Sequence, residues 1–257
     1  MTPPPYEDRI VAFIDILGWS DLLRRSKTDS NELSKLTEIV RRLTFLSQKS
    51  QERREEFLNK NIAAMNTRFS YFSDTVVLSC PADVRECGWM TWEVQLLCSV
   101  LVLSGQYPRG AIVRGEIHHT ESLLFGPALV DAYEIERQVA MYPRLVVTPE
   151  AAPFVVNPFK PDDTDAPTTM QWDIDIDGLR YLEIISRGET GKRKRYYNGQ
   201  ARRLRTVVAE HVRVASGISP KSPAQLKREA KAGWMLSYLD RVIAAEVIPG
   251  GLDEDGD

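Results

Sequence analysis

Residues 9–16 read RIVAFIDI, a run of apolar and β-branched residues that is interrupted by a single acid, Asp15. Such a run predicts a buried strand. The strand is expected to end at Leu17–Ser20, where Gly18 permits a tight turn. Because an unpaired carboxylate in a buried strand is costly, we expect Asp15 to have a partner. This stretch therefore predicts a buried strand that carries one chemically important acid.

The pattern that follows alternates helices with short strands. Strands are predicted at 67–72, 75–80, 109–117 and 144–148, with a further hairpin at 172–175 and 179–185. Helices are predicted at 21–25, 31–58, 86–105, 127–141, 200–216 and 223–247. The order fits the β-α-β-β-α-β ferredoxin-like motif. We therefore predict an α+β fold with a mostly antiparallel sheet, helices on one face, and a C-terminal hairpin and helical extension.

A second acid, Asp74, lies with Ser73 in the two-residue turn between the strands at 67–72 and 75–80. In a ferredoxin-like sheet this hairpin runs beside the first strand, so Asp15 and Asp74 are expected to meet near one edge. Two carboxylates and a backbone carbonyl suit Mg²⁺ or Mn²⁺, with phosphates completing the shell. The alternative is that Asp15 caps the following turn and Asp74 holds an ordinary hairpin turn.

Composition shifts along the chain predict its organisation. Residues 1–8 contain three consecutive prolines and are interpreted as an extended, flexible arm. Residues 9–156 form the predicted catalytic domain. Residues 157–248 form an extension with a loop at 157–169, a hairpin and two helices, packed on the same domain or on a dimer partner. Residues 249–257 form an acidic tail that we expect to be disordered.

The composition excludes several classes of protein. The 257 residues include 33 Lys and Arg and 36 Asp and Glu, a formal net charge of −3 that argues against a DNA-coating protein. No apolar run approaches the roughly 18–20 residues of a membrane span, and the N-terminus lacks a secretion signal. Three cysteines without a CxxC pair argue against a disulfide framework and a structural zinc site. These features predict a soluble cytoplasmic protein.

The two acidic motifs resemble a known family. FIDILGW at 13–19 and YFSDTVV at 71–77 look like the two metal-binding strands of class III nucleotidyl cyclases. RGAIVRGE at 109–116, FGPALVDAYEIE at 125–136 and RLVVTP at 144–149 look like the strand, the Gly-led helix and the closing strand that follow in that family. The resemblance covers residues 9–156 in the correct order. In its details it is similar to the pyrimidine cyclases of bacterial Pycsar antiphage defence.

This resemblance implies an activity, a site and partners. The activity is conversion of UTP to 3′,5′-cyclic UMP and pyrophosphate, or of CTP to cyclic CMP. Two Mn²⁺ or Mg²⁺ ions are held by Asp15, Asp74 and the main-chain carbonyl of Ile16, and the two acids are catalytic. The implied partners are a second copy of the chain, with active sites at the homodimer interface, and a separate effector that binds the cyclic nucleotide. The expected nucleotide-binding residues are Phe13, Gly18, Trp19, Ser20 and Tyr71, with core packing as the alternative for Phe13 and Trp19.

The sequence departs from the family at three positions. Ser70 occupies the place of the base-reading Lys of adenylyl cyclases, so the adenine-reading pattern is absent. Val130 and Glu134 occupy the places of an Asn and an Arg on the Gly-led helix. Candidates for the missing positive charge are Arg109, Arg114, Arg137 and the C-terminal extension, and the sequence does not decide among them.

Two other functions stay open. One is a catalytically silent, cyclase-like domain that binds a nucleotide and acts as a regulator. The other is a nucleic-acid-associated protein that uses the basic run Lys192–Arg195, which we otherwise predict to be a solvated loop. His118 and His119 are predicted to be surface or loop histidines, since neighbours on a strand face opposite ways and cannot easily share one metal.

Overall fold

A computed structural model describes residues 6–59, 66–155, 172–184, 191–217 and 221–244. The predicted loop at 157–169, the acidic tail and most of the N-terminal arm lie outside this range. The strands are β1 (Glu7–Leu17), β2 (Arg68–Phe72), β3 (Thr75–Pro81), β4 (Tyr107–His119), β5 (Leu124–Phe125), β6 (Leu145–Val147), β7 (Trp172–Ile174) and β8 (Arg180–Leu182). The helices are α1 (Trp19–Arg25), α2 (Ser30–Asn59), α3 (Val84–Leu103), α4 (Pro127–Gln138), α5 (Ala152–Val155), α6 (Gly191–Ser216) and α7 (Pro223–Ala244).

The strands form one mostly antiparallel sheet in the order β2-β3-β1-β4-β6-β8-β7, with β5 paired to β4. Strand β1 lies between β3 and β4 and is antiparallel to both, whereas β4 and β6 are parallel. The first four long strands thus have the spatial order 2-3-1-4 of a β-α-β-β-α-β unit. The predicted α+β class with a mostly antiparallel sheet is confirmed.

Both faces of the sheet are covered at β1. Val11 and Phe13 belong to a buried cluster with residues of α4, while Cys80, which pairs with Ile10, lies with its Sγ 3.5 Å from that of Cys87 in α3. Alternate residues of a strand face opposite ways. Helices α3 and α4 therefore lie on opposite faces, and the expectation of helices on one face describes only part of the arrangement.

Helix α4 approaches β4 closely because of the glycine before it. Gly126 has φ +151, and a Cβ there would lie 2.7 Å from Ile117 Cα. Only glycine fits this position without displacing the strand. Pro127 then occupies the first turn of α4, where its missing N–H costs no hydrogen bond.

Residues 1–186 form one compact unit and residues 187–257 a second. The hairpin β7–β8, which the sequence placed in the C-terminal extension, joins the sheet of the first unit through the pairs Leu145↔Leu182 and Val146↔Tyr181. Arg144, which is 1% exposed, anchors this hairpin by ion pairs to Asp175 and Asp177.

The second unit contains α6 and α7, which pack against each other. The basic run Lys192–Arg195 lies in the first turns of α6, so the prediction of a loop there is wrong. Lysine and arginine are good helix formers, and an unbroken basic run is compatible with a helix. None of the described helices is long and apolar enough to cross a membrane.

Candidate functional site

The two predicted acids lie at neighbouring positions of adjacent strands. Asp15 pairs with Thr75 across β1 and β3, and the N–H of Ile16 donates to the carbonyl oxygen of Asp74 over 2.7 Å. Directly opposite residues of antiparallel strands lie about 4.5–5.5 Å apart. The β2–β3 turn places Asp74 one residue beyond such a pair, with Ser73 in the left-handed region at φ 56. The backbone positions of Asp15 and Asp74 therefore lie side by side at the end of β1.

Asp15 has a cationic partner, as its position in a buried strand requires. Arg109 pairs with it across β1 and β4, and Arg109 Nη2 lies 3.4 Å from Asp15 Oδ2. The same Nη2 atom forms an ion pair with Glu136 of α4, whose side chain is 5% exposed. One guanidinium thus bridges a strand carboxylate and a buried helix carboxylate.

The structure places the three arginines that are candidates to replace the family's helix arginine at different distances from Asp15. Arg109 lies beside Asp15. Arg114 is five positions further along β4, roughly 17 Å away. There it pairs with Asp8 at 2.6 Å and lies over the Phe154 ring. Arg137 is exposed on α4. Among these three, Arg109 is the one placed with the acids.

The residues at this edge fit a divalent cation. Mg²⁺ is usually held by one or two carboxylates, with waters and substrate phosphates as its other ligands. Asp15 is 23% exposed and so remains accessible. Arg109 can release Asp15 to a cation and still keep its pair with Glu136. No group of three or more metal-ligating side chains occurs among the described residues.

The turn after β1 has the geometry expected for a glycine. Gly18 has φ +89, is exposed, and precedes the seven-residue helix α1. The backbone conformation is one that other residues adopt only with strain. Ser20, in the first turn of α1, is exposed as well. Both lie at the end of β1 that carries Asp15.

The aromatic residues expected at the nucleotide have different positions. Phe13 and Trp19 are 7% and 5% exposed, and Phe13 packs edge-on against Tyr133 with ring centroids 6.0 Å apart. Both side chains thus contribute to the core. Tyr71 pairs with Val76, and its hydroxyl lies 3.0 Å from Thr44 Oγ1 of α2. Because Val76 pairs with Ile14, Tyr71 lies on the opposite face of the sheet from Asp15.

Sequence reasoning missed a buried polar chain on the Asp15 face. Arg9 Nε donates to Ser79 Oγ at 2.9 Å, Ser79 Oγ lies 2.8 Å from His119 Nδ1, and His119 Nε2 lies 2.9 Å from Ser70 Oγ. His119 is 5% exposed, so its prediction as a surface or loop residue is wrong. The signal was available: Ala111, Val113 and Ile117 of β4 face the core, and His119 has the same parity.

The imidazole at the centre of this chain is neutral. Burial lowers the pKa of His119 to about 4, with Arg9 adding to the effect, so the imidazole is neutral near pH 7. A neutral imidazole donates from one ring nitrogen and accepts at the other. His119 therefore donates to one of the two serine hydroxyls, Ser79 or Ser70, and accepts from the other, as its tautomer decides.

Comparison with known proteins gives only distant similarities. No protein-family model and no curated protein matches the chain. Among solved structures, the guanylyl cyclase domain of the RhoGC fusion protein from the aquatic fungus Blastocladiella emersonii has 11% identity and a TM-score of 0.41, over 70% of this chain and 95% of that one. The guanylate cyclase domain of RhGC from Catenaria anguillulae has 10% identity and a TM-score of 0.39, over 70% and 98%.

A class III adenylyl cyclase-like ATP-binding protein from Pseudomonas aeruginosa has 12% identity and a TM-score of 0.34. Its alignment covers 60% of this chain and 38% of that protein. At these TM-scores and identities the similarities assign neither a family nor a function. The functional assignment of this chain rests on its own residues.

Proposed function

We propose that the chain is a metal-dependent nucleotidyl cyclase that converts UTP to 3′,5′-cyclic UMP and pyrophosphate. The observation that carries this proposal is the placement of Asp15 and Asp74 on adjoining strand ends, linked by the Ile16–Asp74 backbone hydrogen bond. The Gly18 turn and Arg109 lie at the same edge. Two hard carboxylates beside a cationic side chain form a suitable environment for a metal-bound polyphosphate.

The reaction requires an in-line displacement at the α-phosphorus. The ribose 3′-hydroxyl loses its proton to solvent, its oxygen forms a bond to that phosphorus, the bond from the phosphorus to the bridging oxygen breaks, and pyrophosphate leaves with the electron pair. Asp15, Asp74 and the Ile16 carbonyl would hold divalent ions, which when bound would activate the 3′-hydroxyl and neutralise charge on the triphosphate. Arg109, oriented by Glu136, places its guanidinium against phosphate oxygens, and the backbone at Gly18–Ser20 donates N–H groups to them.

The choice of base is proposed from Ser70. It lies on the same face as Asp15, since it pairs with Val77 and Val77 pairs with Phe13. We propose the tautomer of His119 that donates to Ser70, which leaves the Ser70 hydroxyl to donate to the base and favours a base that presents a carbonyl acceptor. Uracil carries a carbonyl oxygen where cytosine carries an amino donor. This supports UTP over CTP, with cytidylate cyclase as the alternative.

The remaining parts of the proposal concern partners and context. We propose a homodimer whose subunits meet near the site. Large exposed apolar side chains support an interface there: Phe72 is 84% exposed at the hairpin tip beside Asp74, and Val130 and Tyr133 are exposed on α4. From the resemblance we further propose cytoplasmic antiphage defence, in which a separate effector binds the cyclic nucleotide and nucleic acid has no part.

A second candidate function is a silent, nucleotide-binding regulatory domain. It is favoured by one observation, the ion pair of Asp15 with Arg109, because a carboxylate already neutralised in this way has a partner without any metal. The active cyclase and the silent domain differ in whether the bound nucleotide is converted to product. A silent domain binds nucleotide and releases no pyrophosphate.

The test is a turnover assay with Mn²⁺ and each of ATP, GTP, CTP and UTP. Asp74→Ala is the test variant, and Glu150→Ala, an exposed acid after β6, is the matched control. We expect cyclic UMP and pyrophosphate from UTP with the wild type and the control, and neither with Asp74→Ala. Cyclic CMP in place of cyclic UMP would select the cytidylate alternative. Nucleotide binding without any product would select the silent domain.

A further inference from the structure

A polar cavity of about 170 Å³ lies away from the two acids. It is lined by α2, by the start of β2 and by the segment after β4, and includes Ser47, Thr67 and Arg68. Arg68 pairs with Ser79, which pairs with Val11, four positions from Asp15. That spacing puts the cavity roughly 13 Å along the strands and two strands across from the candidate active site.

The cavity wall contains polar atoms whose hydrogen bonds are unmade. Thr67 is 5% exposed, and its Oγ1 has no hydrogen-bond partner in the part of the chain that the structure describes. Arg68 is half-buried as a residue, but its Nε atom is buried and has no partner within the same residues. Buried polar groups in proteins nearly always have a partner, and a group without one calls for a specific explanation.

Hydrogen bonds fix the backbone at the start of β2, so the Thr67 hydroxyl and the Arg68 guanidinium do not belong to a loosely held strand end. The carbonyl oxygen of Asn66 accepts from Arg9 Nη2, and the N–H of Asn66 donates to Glu86 Oε2 at 2.7 Å. Arg9 is itself 1% exposed and bonded to Ser79. Buried Arg9 and half-buried Glu86 thus fix the backbone at Asn66, next to Thr67 and Arg68.

We propose that this cavity is a binding site for a small oxyanion, with the Arg68 guanidinium and the Thr67 hydroxyl as its donors. Arginine matches the geometry of phosphate and carboxylate oxygens and binds them strongly. A water needs about 10–15 Å³ of such space, so the cavity is roughly ten times larger than one water requires. Glu121, the acid on the wall, is exposed, so solvent weakens its repulsion of a bound anion. This site is separate from the proposed cyclase chemistry.

The test measures anion binding without nucleotide or divalent metal, so its outcome is independent of the cyclase proposal. Inorganic phosphate and acetate are titrated at constant ionic strength, with chloride as the balancing salt, and followed by calorimetry and by the melting temperature. We expect saturable binding to the wild type and to Arg41→Gln, an exposed arginine of α2. Binding to Arg68→Gln is expected to weaken at least tenfold. Tighter binding of phosphate identifies a phosphate site, and tighter binding of acetate a carboxylate site.

Phosphate can also bind beside Arg109, so an Arg109→Gln variant is included. Saturable binding retained in Arg109→Gln and lost in Arg68→Gln assigns the anion to the cavity. The reverse pattern, or no saturable binding of either anion to the wild type, overturns the proposal.

Thr67→Val provides a second measurement. A ligand-binding role and a purely structural role of the Thr67 hydroxyl predict opposite changes in the melting temperature. Valine keeps the shape and removes the unpartnered hydroxyl. We expect a higher melting temperature without anion, together with weaker phosphate binding. A lower melting temperature with unchanged phosphate affinity shows that the hydroxyl serves only the fold, and contradicts the assignment.

Discussion

Glu136 is expected to control how strongly Arg109 competes with a metal ion for the carboxylate of Asp15. In the structure Arg109 bridges Glu136 and Asp15, and Glu136 is buried on α4. Glu136→Gln keeps the size of the side chain and an acceptor oxygen but removes the charge. Arg109 is then left with Asp15 as its remaining acidic partner at this edge. We expect the variant to be less stable and to bind Mn²⁺ more weakly.

The magnitude follows from the burial of the pair. A hydrogen bond to a charged group contributes about 1.5–3 kcal/mol, and glutamine preserves part of it. A loss of about 2 kcal/mol corresponds to roughly 4–8 °C in melting temperature for a domain of this size. Arg109 and Asp15 are each about one-fifth exposed. Solvent screening therefore limits their extra attraction to about 1 kcal/mol, which weakens Mn²⁺ binding about fivefold.

The assays are urea denaturation for stability and calorimetric titration of Mn²⁺ for affinity. Glu134→Gln is the matched control, since Glu134 is exposed on the same helix two residues earlier. Equal stability of the two variants, or tighter Mn²⁺ binding by Glu136→Gln, would refute the idea that Glu136 shares the Arg109 guanidinium and so weakens its pairing with Asp15.

Two further predictions concern the fold. His119 is neutral when folded because its pKa is about 4 rather than about 6.5. The unfolded chain therefore binds more protons between these values, and stability falls by up to about 3 kcal/mol as the pH drops from 6.5 to 4. Denaturation midpoints across this range are expected to change less in His119→Gln, and an equal slope in both proteins argues against the buried neutral imidazole. Gly126→Ala is expected to lower the melting temperature markedly, because its Cβ would lie 2.7 Å from Ile117 Cα. Gly199→Ala, a control in α6 with open space around its Cβ, is expected to be neutral or slightly stabilising, and similar losses in both would contradict the steric argument.

Local patterns were enough to predict most of the elements. The apolar run at 9–16 predicted β1, and the two-residue turn at 73–74 predicted the β2–β3 hairpin, because strand burial and hairpin spacing depend on neighbouring residues. Helix α6 shows where local patterns fail. Its first turns are basic without apolar periodicity, so the sequence indicated a loop where the structure has a helix.

The same contrast holds at the candidate site. The sequence by itself determined that Asp15 needs a partner, since an unpaired acid in a buried strand is costly. Only the tertiary structure decided that this partner is Arg109, 94 positions away, with Glu136 behind it. The register of β1 against β4 and the closeness of α4 to the sheet set these contacts, and both result from long-range packing. The same long-range packing buries His119 between Ser79 and Ser70.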